Sequence, residues 1–303
     1  MKPKECSMIR VLGLGDNVVD KYLHTGVMYP GGNALNFAVY AKLSGADAGY
    51  LGVFGDDEAA GHVYRTAAGL KIDLSHVRFY SGSNGYAEVK LEDGDRVFVG
   101  SNQGGVSKTY PLELTGMDEQ YIAGFDVVHT SIFSYIESQL PVLRRAAPFI
   151  SMDFSDRADD EYYKRCAPYL DCACISCGDM AEDEVKAQME KIISYGCRHM
   201  VIATRGAKGA VVAAGGRYYR QSPCLVEAKD TMGAGDSFIT CFLLGYLDGM
   251  KGAVDFPGEA SDRGVVTKAE YQDLLIQCSL YRAAVYSANN CLKDGSFGYG
   301  IEF

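Results

Sequence analysis

The sequence predicts an α/β fold built from βαβ units around a buried parallel sheet. Two observations carry this. Short apolar runs alternate with helix-compatible stretches, and each run ends in a polar or glycine turn. A third observation adds a detail: one polar hairpin interrupts the rhythm, as a lid or small appended sheet would.

The first run, Ile9 to Leu14, reads as a strand of a buried parallel sheet and ends at Gly15-Asp16-Asn17-Val18-Val19-Asp20. Asp16 and Asp20 would share a face if that strand continued. Carboxylates at the C-terminal end of a parallel strand sit where open α/β sheets bind ligands; the plain alternative is a pair of solvated turn residues. Next, Pro30-Gly31-Gly32 leads into an apolar helix with Asn33 as a candidate N-cap. Asn33 and Asn36 share a face of its first turn, and two amides there suit the hydroxyls of a polyol. Tyr50 to Phe54 is a second strand, followed by a helix from Glu58 to Gly69. Tyr86 to Lys90 and Arg96 to Val99 form the hairpin around Glu92-Asp93-Gly94-Asp95, with Arg96 either a ligand contact or a solvated charge.

The alternation resumes with strands at Asp126 to His129, Phe149 to Asp153, Cys172 to Ser176 and Met200 to Thr204. Thr204-Arg205-Gly206-Ala207-Lys208-Gly209-Ala210 is a glycine turn between strands, with Arg205 and Lys208 as local positive charge. Lys251 to Lys268 reads as a polar loop and Tyr271 to Asn289 as a last amphipathic helix. No repeat, low-complexity tract or interdomain linker is evident, so residues 1–303 read as a single domain.

Between the glycine turn at 204–210 and the polar loop from Lys251 lies the most informative stretch, Asp230-Thr231-Met232-Gly233-Ala234-Gly235-Asp236-Ser237-Phe238, which feeds the apolar run Phe238 to Leu247. A glycine loop at a helix start presents unpartnered amides and a positive dipole, a place for phosphate. Asp236 repels phosphate, so it makes sense facing the other reactant, taking a proton from a hydroxyl that attacks the phosphoryl group. As a mere helix cap it would need no such partner.

Composition narrows the classes. Hydrophobic residues make up 48% and charged residues 22% of 303, as in ordinary globular proteins. A net charge of -10 argues against a nucleic-acid surface. Neither a signal peptide nor an apolar run of about 18 residues is evident, so no membrane span is expected. Ten cysteines without a secretory signal fit a reducing cytoplasm. Cys172, Cys174 and Cys177 lie close together, but no CxxC pair or nearby histidine completes a tetrahedral set, so they read as small buried hydrophobes.

On Gly31-Gly32-Asn33-Ala34-Leu35-Asn36 and Asp230 to Phe238, the chain resembles the PfkB/ribokinase family of carbohydrate kinases over nearly its whole length. With Gly15-Asp16-Asn17, Asp95-Arg96-Val97-Phe98 and Asp153-Phe154-Ser155-Asp156 added, it is most similar to fructoselysine 6-kinases. The resemblance implies a ribokinase-like (Rossmann-like) α/β/α sandwich whose β lid comes from segments near 18–30 and 85–100. It implies that Asp20, Gly32, Asn33 and Asn36 bind sugar hydroxyls and that Asp236 is the general base. Gly233, Ala234 and Gly235 would form the anion hole. Thr204 and Gly206 would contact ATP, Gly209 would shape the same turn, and Asn289 would lie near the adenine. It also implies Mg2+, and K+ near the Asp230–Thr231 loop. One departure stands out: the family's Asn-x-x-Glu element is absent, and Ser176-Cys177-Gly178-Asp179-Met180-Ala181-Glu182-Asp183-Glu184 stands there, leaving Glu182 or Glu184 for the acidic role.

The expectation is therefore transfer of the ATP γ-phosphoryl group to a primary hydroxyl of a ketose-type sugar derivative, with lid closure excluding water. Ribose, fructose or a nucleoside are alternative acceptors, the last because 21 tyrosines offer stacking surfaces. A non-catalytic sugar- or nucleotide-binding regulator is the alternative of another class, disfavoured by the retained Asp236. An NAD enzyme is discounted because Val18 stands where GxGxxG needs its third glycine. A homodimer paired through the lids is left open.

Overall fold

The computed structural model describes residues 8–92, 95–252 and 267–303. Its first half comprises β1 (Arg10–Gly15), β2 (Val18–Tyr22), β3 (Val27–Gly31), α1 (Asn33–Leu43), β4 (Asp47–Phe54), α2 (Glu58–Gly69), β5 (Arg78–Phe79), β6 (Gly85–Glu92) and β7 (Asp95–Ser101). Then follow α3 (Val106–Thr109), α4 (Gly116–Ile122), β8 (Val127–Ser131), α5 (Leu140–Ala146), β9 (Ile150–Asp153), α6 (Asp160–Cys166), β10 (Cys172–Ser176) and α7 (Glu182–Ser194). The chain closes with β11 (Met200–Thr204), β12 (Ala210–Ala214), β13 (Arg217–Gln221), α8 (Ala234–Gly252), α9 (Lys268–Asn290) and β14 (Ile301–Glu302).

The apolar runs read from the sequence assemble into one nine-stranded sheet in the order β13-β12-β11-β10-β9-β8-β1-β4-β5. Strands β5 to β11 within it pair in parallel, and β12 and β13 add an antiparallel edge. β8 is buried at every position and β10 at all but its last, as a sheet covered on both faces requires. One face packs on α1, α2, α8 and α9 and the other on α4 to α7, giving three layers and a core on each side. The chain leaves β1 toward β4 on one side and returns through β8 on the other. This reversal of strand order is the crevice where a doubly wound sheet binds ligands.

Segments 18–31 and 85–101, with β14 from the C-terminal end, form a second, five-stranded sheet in the order β14-β3-β2-β6-β7. The sequence left Asp16 and Asp20 on one continuing strand; instead β1 ends at Gly15, and the chain crosses to the second sheet before β2 starts at Val18. Asp16 thus sits at the end of the large sheet and Asp20 within the small one.

Helix α1 is buried from Ala34 to Ala41, so its apolar character extends around the barrel of the helix and not along one stripe. In α8, Phe238, Ile239, Phe242 and Leu243 are buried. Burying each such side chain contributes about 1.5–3 kcal/mol, which anchors the helix that carries Asp236. Residues 253–266, most of the polar loop expected between Lys251 and Lys268, and the hairpin residues Asp93 and Gly94 lie outside the described residues. No helix among the described residues is long and apolar enough to cross a membrane.

Candidate active site

The loop singled out in the sequence becomes a helix start at Ala234. Gly233 adopts φ +68°, and a Cβ there would lie 2.2 Å from the Tyr40 hydroxyl, so both conformation and space demand glycine. Asp230 braces the loop: its Oδ1 accepts from the Met232 amide at 2.8 Å, and its Oδ2 from the Gly295 amide at 2.8 Å and the Tyr22 hydroxyl at 2.7 Å. The Ala234 amide closes a turn on the Thr231 carbonyl at 3.2 Å. Gly235, second in the helix, has no intrahelical acceptor for its amide. Of the three expected anion-hole amides, Ala234's is engaged in this turn.

Asp236 projects from the first turn of α8 toward α1. Asn33 Nδ2 donates to its Oδ1 at 2.8 Å and Asn36 Nδ2 to its Oδ2 at 2.6 Å. The first turn of α1 thus meets the first turn of α8, joining residues two hundred positions apart. Asn33 is the first residue of α1 and does not cap it; Gly32 precedes it at φ +106°, with no side-chain cap. Asp16 does that work from another segment: its Oδ2 accepts from the Asn33 amide at 2.6 Å and its Oδ1 from the Ala34 amide at 3.3 Å. The Ser131 and Ser134 hydroxyls complete its shell at 2.7 and 2.9 Å. A carboxylate at a helix N-terminus is stabilised by the dipole as well as by these donors. Asp16 is therefore a structural acid that sets α1.

The sequence assigned no site role to Asp153, noted only within the Asp153–Asp156 resemblance, or to His129, and both belong to this cluster. Asn33 Nδ2 donates its second hydrogen to Asp153 Oδ2 at 2.8 Å, while the Ser155 amide holds Asp153 Oδ1 at 2.8 Å. His129 Nε2 stands 2.9 Å from Asn33 Oδ1. The signal that marked Asp16, a polar group closing an apolar run at the C-terminal end of a parallel strand, marks Asp153, the last residue of β9; His129 lies mid-strand in β8, where only a polar residue after an apolar run could have flagged it. Burial raises the Asp153 pKa to about 6, opposed by the Ser155 and Asn33 hydrogen bonds. Asp236 retains some surface, but its carboxyl group is enclosed; burial and then the charge of Asp153 push its pKa to about 7, with Asn36 opposing and Asp16 and Asp20 adding repulsion. A carboxylate poised there can accept a proton near neutral pH.

On the other side of the α8 start lies a cavity of 550 Å3 lined by Thr204, Gly206, Gly209, Ala234, Gly235 and Ala288, among others. Three of the four expected nucleotide-side positions thus line one cavity with the expected anion-hole residues Ala234 and Gly235. Asn289 does not: it is exposed and lines a separate surface cavity with Ser44 and Tyr281. One residue advances a helix by about 100°, so its neighbours Ala288 and Asn290 face inward instead. Buried Asn290 donates to the Tyr40 hydroxyl at 3.1 Å and to the Met232 carbonyl at 3.3 Å, tying α9 to the loop.

Asp20 is buried on the face of β2 beside Gly31, close enough to raise the Asp236 pKa. Arg96 belongs to β7, and its side chain lies outside the described residues. Glu182 does not turn to the cavity. It starts α7 and pairs with Arg220 and with Lys186, while Glu184 folds back on the Ala181 amide at 2.9 Å. Among the described residues, no group of three or more His, Cys, Asp or Glu is placed to hold a metal ion, and the cysteines of β10 are buried and unbridged.

The chain is similar to known proteins. The chain is 38% identical over 296 residues to the fructosamine kinase FrlD of Bacillus subtilis (strain 168), covering 97% of this chain and 95% of that one. It is 37% identical over 237 residues to the fructoselysine 6-kinase of Escherichia coli (strain K12), covering 78% of this chain and 89% of the other. In fold it is similar to the aminoimidazole riboside kinase of Salmonella enterica, solved with aminoimidazole riboside and an ATP analog, with a TM-score of 0.70 at 17% identity over 96% of both chains. The family model for pfkB carbohydrate kinases matches residues 7–254, and with those relatives it establishes that this chain belongs to the pfkB family of carbohydrate kinases.

Proposed function

We propose that this chain transfers the γ-phosphoryl group of ATP to a primary hydroxyl of a ketose-type sugar derivative, a fructosamine such as fructoselysine. One observation carries the reading: Asp236 sits on a helix start between the Asn33–Asn36 amides and the cavity reached by Thr204, Gly206 and Gly235. In the reaction the hydroxyl oxygen attacks the γ-phosphorus, its proton passes to Asp236, and the bond from γ-phosphorus to the ADP oxygen breaks. Amides at the start of α8 stabilise charge that builds on the transferring oxygens.

Asn36 supports a hydroxylic acceptor. It is 3% exposed, its Nδ2 donates to Asp236 and to Ser296 Oγ at 3.2 Å, and its buried Oδ1 has no partner among the described residues. An unpaired buried acceptor costs about 1–3 kcal/mol, which a sugar hydroxyl would relieve. Asp20, Gly32 and, once the small sheet closes as a lid, the β6–β7 hairpin with Arg96 would complete the sugar side. Substrate choice follows the two curated relatives, each named for fructosamine or fructoselysine phosphorylation.

Magnesium neutralises charge on the phosphates in such transfers and is carried largely by them. Glu182, the acid the sequence offered for it, is engaged by Arg220 and Lys186, so no protein ligand is assigned and no step is derived through the ion. Potassium near Asp230 and a homodimer joined through the small sheet remain proposals, testable by adding or omitting potassium and by light scattering.

The test is ADP release against a panel of fructosamines, ketoses, ribose and nucleosides with magnesium. Preference for fructosamines supports the reading. Preference for ribose, fructose or a nucleoside transfers it to another acceptor in the same family. ATP binding without turnover on any member would instead favour a regulator.

A further inference from the structure

His129 is a buried titratable group that the phosphoryl-transfer chemistry leaves unused. Only 1% of its surface is exposed, so it meets no substrate. Its ring stacks on Phe37, with centroids 4.4 Å apart. An apolar ring would fill that space without two polar nitrogens to satisfy, so the nitrogens call for an explanation. Both are occupied: Nε2 meets Asn33 Oδ1 at 2.9 Å and Nδ1 meets Ser151 Oγ at 3.0 Å.

The Asn33 amide can be placed two ways. With NH2 toward the carboxylates it donates to Asp153 and Asp236 at once. Flipped, its oxygen would face two carboxylates and its NH2 would face the imidazole. The first orientation needs a donor on the Oδ1 side, and His129 Nε2–H supplies it. Nδ1 then accepts from the Ser151 hydroxyl, so the tautomer is set from both ends. Complete burial pushes the imidazole pKa down to about 3, so this donor does not titrate over the working range.

We propose that His129 is a positioning residue: it locks the Asn33 amide so that one NH2 group bridges Asp153 and Asp236 and holds the base in place. Asn33 thereby acts first as a strut and not as a free sugar ligand. The groups facing Asp236 are Asp153 from β9, Asp16 from the turn after β1, Asp20 from β2, and Asn33, Asn36 and Tyr40 from α1. Among them the two asparagines are the donors that favour the ionised base, so freeing Asn33 removes one of two supports. The inference rests on Asp236 being the base.

The test uses the full chain as wild type and as His129→Phe, His129→Gln, Ser151→Ala and Asp236→Asn. Two readouts are taken: the acid limb of kcat/KM, and the infrared titration of the Asp236 carboxyl band, identified as the band that Asp236→Asn removes. His129→Phe is expected to raise the Asp236 midpoint by about half to one pH unit, because a hydrogen bond to the ionised form is lost. It should lower kcat roughly 10- to 100-fold through misplacement of the base, with KM for ATP within about twofold. His129→Gln, whose amide reaches the Nε2 position, should restore the midpoint, and Ser151→Ala should shift it partway. A folded His129→Phe with an unmoved midpoint overturns the proposal, as does lost activity without a shift. Should His129→Phe fail to fold, an unmoved midpoint in Ser151→Ala overturns it equally. A wild type inactive on every acceptor that still shows the infrared shift would sink the kinase reading and leave the positioning role standing.

Discussion

Replacing Asp236 by asparagine preserves its shape and removes the proton acceptor. The turnover number is expected to fall about 10²- to 10⁴-fold, the usual worth of a positioned general base. ATP affinity should hold, because the carboxylate is gripped by Asn33 and Asn36 on the acceptor side of the helix start. The same change has a stability consequence with a definite sign. The folded-state pKa is raised from 3.8 to about 7, so the folded protein binds that proton more tightly than the unfolded chain does. Ionising the group therefore destabilises the fold, a cost absent below pH 4, growing as pH climbs to 7, and complete above it. Three pKa units correspond to roughly 4 kcal/mol, an upper bound given the residual exposure of Asp236. An asparagine NH2 placed against one of two donor amides offsets about 1 kcal/mol of the gain. Asp236→Asn should thus melt several degrees above wild type at pH 8 and close to it at pH 5. The assays are coupled ADP release, calorimetry with a non-hydrolysable ATP analogue, and thermal melts at the two pH values. Near-normal turnover would refute the base, and a melting difference equal at both pH values would refute the electrostatic account.

Three further outcomes follow from the geometry. Gly233→Ala must resolve a Cβ only 2.2 Å from the Tyr40 hydroxyl at φ +68°, so it should cost about 1–3 kcal/mol of stability and most of the turnover; an unchanged melting curve would contradict that. Asn36→Ala should raise KM for the sugar about tenfold or more while KM for ATP stays level, measured by varying each substrate in turn. Asn290→Ala should loosen the Met232 loop and lower both stability and kcat, whereas exposed Asn289→Ala should leave KM for ATP within about twofold; the opposite pattern would place the adenine on the Asn289 face.

Most of the architecture was legible because its signals are local. Every parallel strand but the two-residue edge strand β5 carries its own apolar run, the helix at Glu58 to Gly69 its Asp57 cap, and the start of α8 its glycines. Features decided by partners distant in sequence are not local and carry no such signal. Asn33 stands where a cap belongs, yet Asp16 supplies the cap across the sheet switch point. Asn289 and Asn290 are indistinguishable as letters, and the way α9 packs on α8 and the Met232 loop selects the second. Glu182 stands at a helix start as a free acid would, yet Arg220, on the edge strand β13, holds it.

The chain by itself determined the alternation of strands and helices, the glycine-rich helix start and the place of Asp236 on it, since spacing and residue type encode them. The tertiary structure alone decided what surrounds that carboxylate. Asp153 and Asn33 meet it from two elements, His129 holds Asn33 from a third, and burial and the Asp153 charge lift its proton affinity toward neutrality. Desolvation and the charge of a neighbour act through distance in space, and no local pattern of residues records that distance.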